Sequence, residues 1–144
     1  MAVFNEQEQQ RIRTAIEDAE KHTSGQMRVC VEKTCKEDVL DRAARYFHQL
    51  DMHKTKLRNG VLIYVATVDR KFAIIGDAGI NKVVHTNFWD DTKEDMLSHF
   101  KYGNLVEGIV TGLEIAGNHL QKYFPHQLND NNELPDDIAF MDGE

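Results

Sequence analysis

The sequence predicts an α/β fold, an α/β/α sandwich in which a small mixed β-sheet is covered by helices on both faces. Three observations carry this. Gly60 to Thr67 is apolar at nearly every position and rich in Val and Ile, the pattern of a strand buried on both faces. A second run, Lys71 to Ile75, returns after only Val68, Asp69 and Arg70, a gap that suits a hairpin and is too short for a helical crossover. Segments of helical period lie on either side of this pair.

Taken in order, Asn5 to His22 places Ile12, Ala15, Ile16 and Ala19 on one helical face, and Ser24-Gly25 ends it. Gln26 to Lys33 alternates, with Met27, Val29 and Val31 on one side and Arg28, Cys30 and Glu32 on the other, which predicts a strand with one less apolar side. Glu37 to Leu50 is a helix with Val39, Leu40, Ala43, Ala44, Phe47 and Leu50 inward. Strand, helix and strand in this order form a crossover between parallel strands. After the hairpin, Gly76-Asp77-Ala78-Gly79 is a turn and Ile80 to Val84 one helical turn. The next helix is predicted from Asn87, capped by it with Asp90 as the reciprocal carboxylate, to Lys101, with Trp89, Met96, Leu97 and Phe100 toward the core. Leu105 to Tyr123 is the strongest amphipathic segment, and Pro125 closes it. The chain divides into one domain, residues 1–125, and an acidic, loosely held tail, residues 126–144.

One domain suits 144 residues, and the apolar runs are far too short for a membrane span. No secretory leader is read at the N-terminus. Cys30 and Cys35 are too few for a disulfide framework and lack C-x-x-C spacing, which points to free thiols in a reducing cytoplasm. The net charge of -7 comes largely from the tail: six of the 24 acids follow Leu128, where no Lys or Arg occurs, leaving 17 basic against 18 acidic residues before it. A near-neutral body argues against nucleic acid as partner.

TSGQMRV, the amphipathic helix after it, RNGVLIYVATVDRKFAIIGDAGI and HFKYGNLVEGIVTGL resemble the successive signatures of the TPM domain family, over roughly Gln7 to Tyr123. The resemblance is to a soluble bacterial member, related to thylakoid lumen acid phosphatase-like proteins. It implies an α/β/α sandwich, with calcium binding and weak acid phosphatase activity in some members and photosystem repair or receptor modulation in others. Gln26 and Asn104 are amides where the family commonly carries acids.

The hairpin has a chemical consequence. Asn59 opens the first strand and Asp77 follows the second, so both lie at one sheet end. Gln26 belongs to the same rim, and only a short segment separates Asp77 from Asp90 and Asp91. Amide and carboxylate oxygens gathered there suit calcium, which takes about 6–8 oxygen ligands, or another divalent cation. Each residue also has a plainer role, Asp77 and Asn59 in turns and Asp90 and Asp91 at a helix dipole. His85 is the histidine nearest this cluster in sequence. Glu32, Asp38 and Asp69 form a second candidate at the opposite end, where the parallel strands finish. Asp130 to Pro135 faintly resembles a calcium loop without its glycine, and P-loop, H-E-x-x-H and G-x-S-x-G motifs are absent. The sequence reads first as a cation-binding or regulatory module that presents its surface to a protein partner, and second as a weak metal-assisted phosphatase on phosphomonoesters.

Overall fold

A computed structural model of the 144-residue chain describes residues 3–127 and 134–142. The elements are α1 (Glu6–Glu20), β1 (Met27–Glu32), α2 (Val39–Gln49), a single 3-10 turn (Met52–Lys54), β2 (Val61–Ala66), β3 (Lys71–Gly76), α3 (Ala78–Asn81), α4 (Asp90–Phe100), α5 (Leu105–Leu120) and β4 (Ile138–Phe140). The sheet order is β3-β2-β1-β4. β1 lies parallel to β2 with Met27 opposite Val61, and β3 returns antiparallel with Gly76 opposite Val61.

All six residues of β2 are buried, as its unbroken apolar run predicts. Alternation along the strand sends Val61, Ile63 and Val65 into one core with Ile12 and Ile16 of α1 and Ile109 and Leu113 of α5. Leu62, Tyr64 and Ala66 enter a second core with Ala43, Tyr46 and Phe47 of α2. The layers are therefore α1, α4 and α5, then the sheet, then α2, and the α/β/α architecture holds. Asn5 and Glu8 form a reciprocal capping box at α1, and Asp38 caps α2 by accepting from the backbone N–H groups of Leu40 and Asp41.

Four details depart from the sequence reading. The helix expected from Asn87 starts at Asp90, because residues 86–89 form turns and the cap position falls on Trp89, which makes no side-chain cap bond. Leu40, Ala44 and Leu97, expected inward, are exposed, so the buried stripes of α2 and α4 are narrower than their apolar patterns. The one-turn helix is Ala78–Asn81, two residues earlier than expected, because Asp77 caps it. The tail expected from residue 126 is also wrong for its last third: β4 pairs in parallel with β1, Val29 opposite Ile138, and Leu134 and Ile138 are buried. Asp130 to Glu133, the part of the calcium-loop resemblance before Leu134, lie outside the described residues.

The C-terminal segment is held by polar contacts as well. Arg13 Nε donates to Asp137 Oδ1 at 3.0 Å. Glu20 accepts from the Met27 N–H at 2.8 Å and has the Asp136 carboxyl beside it, whose Oδ1 is buried with no donor of its own. A proton on Glu20 supplies that donor. Burial first, then the Asp136 carboxyl, pushes Glu20 up to about 9. Because the folded value lies above the unfolded one, this stabilisation is complete below the ordinary glutamate range and is lost as pH rises through about 9. Urea unfolding should therefore show stability falling between about pH 5 and pH 9 and levelling above it, and Glu20→Gln should flatten that fall; an equal slope in both proteins contradicts the assignment.

Candidate functional site

The rim where β2 begins and β3 ends is built from two short loops laid across each other. Arg58-Asn59-Gly60 leads into β2, and Asp77-Ala78-Gly79 leaves β3. The Asp77 N–H donates to the Gly60 carbonyl at 3.0 Å, and the Gly79 N–H donates to the Arg58 carbonyl at 2.8 Å. Gly79 is required by this approach: a Cβ there would sit 2.1 Å from the Leu57 carbonyl oxygen. Arg58 itself is in the left-handed region, φ 53°.

Asp77 is only 6% exposed, and its charge is balanced locally. Arg58 Nε donates to Oδ2 at 2.7 Å and Arg58 Nη2 to Oδ1 at 2.9 Å, a two-pronged ion pair. Oδ1 also accepts from the Ala78 N–H at 2.7 Å, which caps α3. The hydrogen bonds and charge of Asp77 raise the Arg58 guanidinium above its ordinary value. Asn59 is buried, and its Nδ2 donates to Ser24 Oγ at 3.3 Å. Gln26 lies alongside, its carbonyl accepting from the Val61 N–H at 2.7 Å. Its side-chain Oε1 turns to the Leu134 N–H at 3.2 Å.

The structure thus brings Gln26, Asn59 and Asp77 to one rim, as the hairpin geometry requires, but does not gather the acids. Among the described residues no three His, Cys, Asp or Glu side chains are grouped to hold a metal. Asp90 and Asp91 are exposed in the first turn of α4. Asp90 borders a shallow surface depression with Phe72, which is four strand residues, or about 13 Å, from Gly76. The short connection does not fold Asp90 and Asp91 back onto Asp77, because α4 runs beside β3 rather than over its end. His85 is exposed. The residue that sequence reasoning passed over is Arg58. Its signal was its place directly before Asn59, on the rim that also receives Asp77.

The family model of the TPM domain matches residues 1–118. The chain belongs to the TPM domain family. The NMR structure of BA42 from the psychrophilic bacterium Bizionia argentinensis is similar at 50% identity, covering 96% of each chain with a TM-score of 0.91. The N-terminal domain of a P. gingivalis protein shares the fold at 15% identity and TM-score 0.71, over 88% of this chain and 83% of that one. The N-terminal domain of cg2496 from Corynebacterium glutamicum does so at 9% identity and TM-score 0.64, over 95% and 80%. No curated protein matches. In this TPM domain β4 falls after the matched residues, so the family match ends with the sheet still lacking its edge strand.

The second candidate cluster does not form a single site in the TPM fold. Glu32 is buried at the end of β1 and accepts from Arg42 Nε at 2.8 Å and Nη2 at 2.9 Å, from Tyr46 Oη at 2.7 Å and from Tyr64 Oη. Burial pushes its carboxyl up, but these donors together outweigh burial and hold it below the ordinary range. Asp38 is occupied as the α2 cap, and Asp69 accepts from the Cys35 N–H at 2.8 Å. These acids close the core at this end. No helix among the described residues is long and apolar enough to cross a membrane.

Since Gly79 has no room for a side chain, Gly79→Ala should destabilise the fold by about 1–3 kcal/mol or more in urea denaturation. Two-state stability unchanged from wild type contradicts the crossed-loop packing.

Proposed function

We propose that this TPM domain is a binding or regulatory module whose ligand is a divalent cation, calcium foremost, taken at the Asp77 rim in competition with Arg58. The supporting observation is the Arg58–Asp77 pair itself. A nearly buried carboxylate is held at the sheet end by a guanidinium whose side chain is 49% exposed, so its counter-charge sits at the surface, where another cation can reach it. The donor set fits a hard cation in kind, one carboxylate with neutral oxygens from Asn59, Gln26, Ser24 and the Gly60 and Arg58 carbonyls. With one carboxylate it fits a weak site better than a tight one. Asp90 and Asp91 act in this reading as solvated charges that complement the α4 dipole and draw cations toward the domain.

Exchange of Arg58 for a cation would free the guanidinium and change the rim's surface charge, which is what a protein partner would read. The alternative, metal-assisted hydrolysis of phosphomonoesters, draws no support from the rim, where Arg58 is committed to Asp77.

Calcium titration followed by amide NMR is the test. Shifts should centre on Gln26, Asn59 and Asp77. Arg58→Gln should bind at least about tenfold more tightly by losing the competing cation, and Asp77→Asn should lose binding. No shift in the Arg58→Gln protein at millimolar calcium contradicts the proposal.

A further inference from the structure

The opposite end of the molecule carries a cavity of about 500 Å³ between the β2–β3 hairpin, the end of α4 and the start of α5. That size is within the range of small-molecule sites, about 300–1,000 Å³. Its position is also suited to one, at the carboxyl end of β2, where ligands bind in open α/β sheets. The floor is apolar and aromatic. Phe72 and Phe100 meet edge to face with ring centroids 4.9 Å apart. Phe100 is fixed from behind by Gly108, where a Cβ would lie 2.2 Å from the ring, so the floor is braced against α5. Leu97 extends this floor outward and is 41% exposed, an apolar side chain on α4 that neither core takes up.

The mouth differs from the rest of the protein in charge. Arg70 and Lys101 border it, both exposed, and neither forms an ion pair among the described residues. Among the described residues no carboxylate lines the cavity, in a chain whose net charge is -7. Lys71 lines it too, but its Nζ is tied by hydrogen bonds to the Cys35 carbonyl at 3.0 Å and the Glu37 carbonyl at 3.4 Å. Arg70 is held in place by the hairpin, with φ 54°. Leu105, the first residue of α5, also lines the cavity, and Asn104 before it makes no side-chain cap bond, so the positive end of that helix adds to the field at the mouth.

An apolar, braced floor under two uncompensated cations is complementary to one kind of molecule. We propose that this cavity binds a small amphiphilic anion, an acyl or aryl group bearing a single carboxylate or phosphate head, with the apolar body on Phe72, Leu97 and Phe100 and the head between Arg70 and Lys101. The site is separate from the Asp77 rim and stands independently of the cation reading. It requires no covalent step.

The test uses the full chain, ¹⁵N-labelled, titrated with octanoate and with octyl phosphate below their micelle concentrations, and with octanol as the neutral control. Shifts confined to Phe72, Leu97, Phe100 and Gly103, with one of the anions binding at least about tenfold more tightly than octanol, are expected. Which anion binds more tightly identifies the head group. Arg70→Ala with Lys101→Ala removes only exposed side chains, and should weaken the anion to the level of octanol while leaving the rest of the spectrum in place. Octanol binding as well as both anions, shifts spread away from the cavity, or undiminished binding in the double variant each overturn the proposal.

Discussion

The ion pair between Arg58 and Asp77 is the contact on which the rest of this domain's organisation rests. It joins the residue before the central strand's lead-in to the residue after its antiparallel neighbour. With the Gly79 N–H bonded to the Arg58 carbonyl, it locks two loops into one rim. A carboxylate as buried as Asp77 is costly to charge without a partner, and Arg58 supplies one from the surface. The left-handed backbone at Arg58 is tolerated because both its carbonyl and its side chain are tied down.

Between the two sheet ends the chain is ordered by burial alone. β2 has no solvated face, so it needs two cores, and α1 with α5 supplies one while α2 supplies the other. Polar chemistry is pushed to the strand ends. At the far end Glu32 is neutralised by Arg42 and two tyrosines, a closed arrangement with no capacity left for a ligand. At the near end Asp77 is neutralised by a single half-exposed arginine. The difference in who holds the charge, and from where, is the ground on which exchange is proposed at Asp77 and not at Glu32.

Much of this was legible from residue pattern. The uninterrupted Val/Ile run of β2, the short gap before β3 and the helical stripe of Leu105 to Leu120 fix the sheet centre and its main cover. The antiparallel return alone places Asn59 beside Asp77. What escaped the pattern has physical reasons. Ile138 to Phe140 is too short and too closely followed by acids to register as a strand, and it forms one by filling the free edge of β1. Asp90 and Asp91 are near Asp77 only along the chain, since the path of α4 beside β3 carries them away. Arg58 reads as an ordinary surface arginine until Asp77 is placed next to it in space. Leu97 belongs to a helical stripe by period, yet it sits at the mouth of a cavity because α4 packs with Met96 inward.

The central claim is that Arg58 holds Asp77 and yields it to another cation. The NMR signal of the Arg58 Nε–H reports this directly. A peak protected from solvent exchange at neutral pH, lost in Asp77→Asn and exposed by added calcium in the wild-type protein, is the predicted result. A freely exchanging Arg58 Nε–H that neither the substitution nor calcium alters would contradict it.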